Sequence, residues 1–334
     1  MKLRLAAAAV VAAGTVLAAG TAMADMEEIK FGIISTESQQ NLKADWVPFL
    51  DDMGKKTGAK VKAFFAPDYA GIIQGMRFKK VDVAWFGNKS AMEAVDRAGG
   101  EIFVQTVDSE GNPGYWSHLI VYKDSPLKSL QDVLANAKDL TFGNGDPNST
   151  SGFLVPSYYV FAKNNVDAKK AFKRMVNANH ETNALAVSNK TVDVATNNSE
   201  NLRKFERKFP EKFALIRIVW TSPTIPLDPI VWRADLPAED KAKIKAFFLN
   251  YGKTGDNAAH EKQVLAKLLY AGFKESDNNQ LLPIRQLEAF RDRSKIANDD
   301  KLDPADKKAK LAEIDAKLAD LEKQIAALKG AKTN

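Results

Sequence analysis

Three adjacent hydroxyls sit inside Gly143-Asn144-Gly145-Asp146-Pro147-Asn148-Ser149-Thr150-Ser151-Gly152. The run lies between Leu140–Phe142, which reads as a strand, and Ser151–Ala162, which reads as a helix. Ser and Thr are good helix N-caps, and the first N–H groups of a helix point outward without internal partners. With hydroxyls added, such a terminus is an anion site suited to phosphate-like oxygens. A plain cap needs only one such residue, so capping is the alternative reading. The run is not a Walker loop, because Gly-Lys-Ser/Thr is missing, and it is not a Gly-x-Ser-x-Gly elbow.

Other polar residues occupy comparable places. Tyr69 opens a helix after Asp68, and Tyr115 stands in Pro113-Gly114-Tyr115-Trp116, where the chain could pass between lobes. Either phenol could donate to an anion or be an ordinary core aromatic. His180, in Asn179-His180-Glu181-Thr182-Asn183, opens another helix and could face a cleft or the surface. Glu200 ends Asn197-Asn198-Ser199-Glu200, and Asp228 lies in Pro226-Leu227-Asp228-Pro229. Paired carboxylates could hold a cation such as an ammonium; turn and cap roles are the alternative.

The elements that must position these residues alternate. Strands are predicted at 29–34, 61–65 and 81–86, with helices at 42–56 and 69–78. After Asp124 the alternation resumes, with helices at 129–137, 151–162 and 181–188 and strands at 140–142 and 192–196. Short β-branched runs spaced by helices indicate an α/β protein with largely parallel sheets. Lys80-Val81-Asp82-Val83-Ala84-Trp85 resembles Thr191-Val192-Asp193-Val194-Ala195-Thr196, which suggests two lobes of similar design. The β-rich stretches 116–122 and 230–233 are candidate crossovers. Lobe 1 is then 25–122 with 229–300, lobe 2 is 123–228, and 301–334 is a separate tail. Ligands of open α/β sheets bind beyond the carboxyl ends of strands, which places the loops above around one cleft.

Composition narrows the chemistry. The 334 residues include 48 Lys plus Arg, 42 Asp plus Glu and no cysteine. Disulfides, thiolate metal sites and cysteine nucleophiles are excluded. The three histidines, His118, His180 and His260, have no metal-ligand spacing, and neither a metal nor a cofactor is expected. Basic residues such as Arg203, Lys204, Arg207 and Lys208 alternate with acids and aromatics, which fits a solvated helix face rather than a nucleic-acid surface. Basic Met1–Arg4, apolar Leu5–Ala19 and Ala22-Met23-Ala24 form a secretory signal peptide cleaved after Ala24, and the product is expected in a periplasm-like compartment.

The strings Phe31-Gly32-Ile33-Ile34-Ser35-Thr36-Glu37-Ser38, Phe64 to Met76 and Gly143 to Val155 resemble the phosphonate-binding proteins of bacterial ABC phosphonate importers. The similarity runs from about 29 to 295. It implies a two-lobed periplasmic binding protein of the type II solute-binding fold that captures an alkylphosphonate, 2-aminoethylphosphonate being the best-known ligand, and delivers it to a membrane permease. It further implies that Tyr69, Tyr115, Ser149, Thr150, Ser151 and His180 hold the phosphonate, and that Glu200 and Asp228 hold the amino group. One departure is Leu227, where the resemblance calls for glycine, and it bears on loop conformation and fine selectivity. The competing readings are a receptor for phosphite, phosphate or sulfonate, and a serine hydrolase using Ser149 or Ser151 with His180. No enzyme activity is expected.

The tail carries Leu311, Ile314, Leu318, Leu321, Ile325 and Leu328 at alternating three- and four-residue spacings, an amphipathic helix with a start at Asp303-Pro304 and a stop near Gly330. Its stripe must pack on its own lobe or on a second copy, which would make a homodimer.

Overall fold

The computed structural model describes residues 27–331. The signal-peptide segment lies outside them. The strands are β1 (Glu28–Ile33), β2 (Lys60–Phe65), β3 (Val83–Trp85), β4 (Gly100–Asp108), β5 (Ser117–Tyr122), β6 (Thr141–Asn144), β7 (Arg174–Asn177), β8 (Val194–Asn198), β9 (Ile216–Thr221), β10 (Pro229–Arg233) and β11 (Tyr270–Glu275). They form two sheets, ordered β11-β4-β10-β3-β1-β2 and β7-β6-β8-β5-β9.

Both sheets are mixed, which corrects the largely parallel expectation. β1 runs parallel to β2 and β3, and β6 parallel to β7 and β8. β10 is antiparallel to β3 and β4, β11 to β4, and β5 to β8 and β9. Strand–helix alternation reveals only the parallel half. The reversed strands are β5, β10 and β11; β5 and β10 follow β4 and β9 after short stretches of chain that pass to the other sheet, and no local periodicity announces the reversal.

Ser117–Tyr122, assigned to lobe 1 from the sequence, pairs within the second sheet, whereas Pro229–Arg233 lies in the first. The chain therefore crosses between sheets just before each of these strands. Tyr115 and Ile225 tie the two crossings together, exchanging N–H to carbonyl bonds of 3.0 and 2.8 Å.

The similar segments occupy equivalent places. Each preceding helix ends on a left-handed lysine, Lys79 (φ 58°) or Lys190 (φ 59°). The aspartate that follows then accepts a backbone N–H from the neighbouring strand: Lys30 donates to Asp82 at 2.9 Å and Thr141 to Asp193 at 2.7 Å.

Local sequence explains the first helix, Gln39–Thr57. Ser38 caps it, Gly58 at φ 77° ends it, and Leu42, Trp46, Phe49, Leu50 and Met53 lie buried at helical spacing. These side chains join Phe31, Phe248 and Phe273 in the larger core, while smaller clusters around Phe142 and Phe205 serve the second sheet.

The tail forms the helix Pro304–Ala331, running through Gly330 rather than stopping there. It packs on the helix Leu282–Ala297 of the same chain, with Leu318 and Leu321 buried and Arg293 paired to Asp315 at 2.5 Å. Leu311, Ile314, Ile325 and Leu328 stay partly exposed.

Candidate functional site

All eight residues singled out from the sequence line one cleft between the sheets. The space it holds is no more than about 470 Å³, open solvent included, which suits a small solute.

At one end are the hydroxyls. The chain from Thr150 to Phe161 winds as two wide π-type turns, Thr150–Leu154 and Ser157–Phe161, around Pro156, which has no N–H to give. Gly145 and Gly152 make this approach possible. A Cβ on Gly145 would lie 2.5 Å from the Gly152 backbone, and the Gly145 N–H donates to the Gly152 carbonyl at 3.0 Å.

The three hydroxyls divide the work that one cap would need. Ser149 Oγ accepts the Gly152 N–H (3.0 Å), Thr150 Oγ1 accepts the Lys89 N–H (2.8 Å), and Ser151 Oγ accepts from the Asn198 amide (3.0 Å). Each oxygen is thus engaged as an acceptor, and each hydroxyl proton is left to donate.

Asn198 also orders His180. Its side-chain oxygen takes the Asn201 N–H (2.7 Å), so its amide nitrogen faces Ser151 and His180 Nε2 (3.2 Å). His180 Nε2 accepts, so the ring proton sits on Nδ1, a buried atom without a partner. Burial holds the imidazole down to about 4, and it is neutral near pH 7.

Tyr69 and Tyr115 are buried, and loss of water raises both phenols well above their usual range. They stay protonated and able to donate. Tyr69 opens the helix Tyr69–Arg77, capped by Asp68, and its N–H crosses the cleft to Asp146 at 3.2 Å.

At the other end are the carboxylates. Glu200 is in the first turn of the helix Ser199–Lys208, and Asp228 immediately precedes β10. Burial and the charge of Glu200 push Asp228 well above the carboxylate range. Burial pushes Glu200 up to about 7, against the pull of Lys204 and Arg203. Asp228 Oδ1 and Trp85 Nε1 make no hydrogen bond within 3.5 Å, yet Tyr115 and Trp85 stand close enough to pull the Asp228 carboxyl down against burial, and Thr36 Oγ1 is also without a partner.

Leu227 is buried, its φ is not left-handed, and its carbonyl is held by Gln105 and Gln280 at 3.1 and 2.8 Å. The loop accommodates leucine without backbone strain.

Several lining residues escaped the sequence reading: Thr36, Glu37, Trp85, Asn198, Lys204 and Tyr270. Thr36, Glu37 and Trp85 lie at or just beyond the carboxyl ends of β1 and β3, where the strand-end rule could have placed them. Lys204 is one helical turn beyond Glu200. Among the described residues no cluster of His, Asp and Glu could hold a metal ion, and no helix is long and apolar enough to cross a membrane.

Two mixed sheets, joined by a pair of bridged crossings and enclosing a polar cleft, define a periplasmic solute-binding protein of the type II class. Residues 31–281 match the family described as ABC transporter, phosphonate, periplasmic substrate-binding protein, and the chain belongs to that family. It is 63% identical over 286 residues to the phosphonates-binding periplasmic protein of Escherichia coli, covering 86% of this chain and 83% of that one. It superposes with TM-score 0.89 on the crystal structure of a binding-protein component of the Pseudomonas aeruginosa ABC phosphonate transporter. The two are 61% identical, with 91% of this chain and 100% of that one covered. A methylphosphonate-bound protein from Prochlorococcus marinus shares the fold at TM-score 0.69 and 22% identity, covering 78% of this chain and 97% of that one. These relatives are transport receptors rather than enzymes.

Proposed function

We propose that this periplasmic receptor captures an aminoalkylphosphonate, with 2-aminoethylphosphonate the leading candidate, and presents it to the permease of an ABC importer. The observation that carries the reading is the pair Glu200, half-buried, and Asp228, buried, two carboxyl groups in one cleft with no cation in salt-bridge contact with either among the described residues. Charges are rarely buried unpaired, and a ligand ammonium would supply the missing partner. At the opposite end Ser149, Thr150, Ser151, Tyr69, Tyr115 and His180 would hold the phosphonate through neutral donors and a helix terminus. A phosphite, phosphate or sulfonate would leave the carboxylates uncompensated. Ser149 Oγ lies 3.4 Å from His180 Nε2, but a serine hydrolase is disfavoured because His180 Nδ1 has no orienting partner.

Export through the signal peptide cleaved after Ala24 completes this reading. The two-lobe division would put the boundaries at the Tyr115 and Ile225 crossings. Two copies would pair through the partly exposed stripe residues of the tail, two helical hairpins making a four-helix bundle.

A crystal structure with 2-aminoethylphosphonate tests the reading. The expected result is an ammonium within hydrogen-bond distance of Glu200 and Asp228. A ligand amine pointing to solvent would overturn it.

A further inference from the structure

Lys204 is a buried cation in the cleft wall, yet it serves neither end of the site. It stands four residues after Glu200 on one helix, the spacing and order in which Glu and Lys pair best. Its ammonium is instead held by the opposite lobe, 3.2 Å from Glu37 and 3.7 Å from Asp45, and lies 5.9 Å from the Trp85 ring centre. Lys208 reaches the same two acids at 2.6 and 3.0 Å, so two lysines from one lobe meet two acids from the other. Among the described residues no cation lies within 4.0 Å of the Glu200 carboxylate.

The cleft is roofed by such inter-lobe contacts, and Glu181 adds another by accepting from the Ser38 N–H (3.2 Å) and the Asn41 amide (2.5 Å). A ligand can reach the buried hydroxyls only when the lobes part. Parting withdraws Glu37 and Asp45, and the anion then nearest to Lys204 on its own helix is Glu200.

We propose that Lys204 is the internal counter-ion of Glu200 in the open receptor, and that closure transfers it to Glu37 and Asp45, vacating the carboxylate for the ligand's ammonium. This rests on the aminoalkylphosphonate reading. Lys204 then determines specificity without touching the ligand. A phosphonate lacking an amine can close the cleft only by leaving Glu200 and Asp228 uncompensated, and an amino ligand refills the position that Lys204 leaves.

The test is the ratio of dissociation constants, ethylphosphonate over 2-aminoethylphosphonate, measured by calorimetry. In the Glu37→Gln, Asp45→Asn variant Lys204 has nowhere to go, so the ratio should fall by about tenfold or more. Adding Lys204→Met should restore it to near the wild-type value. A pair of acids that merely holds the lobes shut would weaken both ligands alike, and an unchanged ratio overturns the exchange while the aminoalkylphosphonate reading survives. Absence of any amine preference in the wild type overturns both. Independently of these variants, a crystal structure of the ligand-free open receptor should show Lys204 at salt-bridge distance from Glu200, and a lysine directed to solvent would overturn the proposal.

Discussion

Thr150 Oγ1 accepts the backbone N–H of Lys89 at 2.8 Å, joining the hydroxyl run of the second sheet to the start of the helix Asn88–Arg97 from the first. The residue is buried and lines the same cleft as Ser149 and Ser151. Thr150→Ala removes a bond across the closed cleft and, on the proposed reading, a donor to the anion. Hydrogen bonds to charged groups contribute about 1.5–3 kcal/mol, so every phosphonate should bind roughly ten- to 150-fold more weakly. Titration of methyl-, ethyl- and 2-aminoethylphosphonate checks this. Unchanged affinities would reduce the run to a helix cap.

Glu200→Ala should act differently. Truncating one member of a buried charge pair costs about 2–5 kcal/mol, and only a ligand with an ammonium makes that pair. The variant should lose affinity for 2-aminoethylphosphonate and bind ethylphosphonate at least as well as before. Equal losses for both ligands would sink the ammonium assignment.

The pH dependence follows with a definite sign. Glu200, raised to about 7 chiefly by burial, is charged above that pH and protonated below it. Binding an ammonium there requires the charged form, so affinity for the amino ligand falls as pH drops. Between pH 8 and 6 the advantage over ethylphosphonate should shrink by about tenfold once each ligand's own phosphonate titration is subtracted, the ammonium making the amino ligand's second ionisation the more acidic. His180, held down to about 4 by burial, contributes nothing in this window. Calorimetry at three pH values tests it, and an advantage that grows on acidification would contradict the assignment.

The elements read from the sequence were those with strong local signals. Tyr69, His180 and the Ser149–Ser151 run announce themselves because each opens a helix after a capping residue or a strand. The Lys80–Trp85 and Thr191–Thr196 likeness held because Asp82 and Asp193 do the same job beside parallel strands. What escaped was non-local. The crossings at β5 and β10 are legible in the sequence, but their reversed direction and the sheet that each joins are not, because nothing in their composition records their partners. Lys204 read as part of a solvated helix face because its acids, Glu37 and Asp45, come from the other lobe, more than 150 residues away.

The tail should be separable from capture. Its central leucines pack on Leu282–Ala297 and not on the cleft. Deleting residues 304–334 should leave phosphonate affinity within about threefold of the full chain. Light scattering on the same pair reports assembly: a dimer that becomes a monomer on deletion supports pairing through the stripe, and a full-length monomer at micromolar concentration removes it.

Closure should be visible in solution. If the lobes turn about the bridged crossings at Tyr115 and Ile225, the radius of gyration from small-angle scattering should fall on saturation with ligand. An unchanged radius would count against hinge closure.

The central claim is that the cleft recognises both a phosphonate and an ammonium. Its most direct test is calorimetric titration of the wild-type protein with 2-aminoethylphosphonate and with ethylphosphonate under identical buffer and salt. The account predicts the amino ligand tighter by about thirtyfold or more, the lower end expected for a buried charge pair. Equal affinities, or a preference for ethylphosphonate, would contradict it.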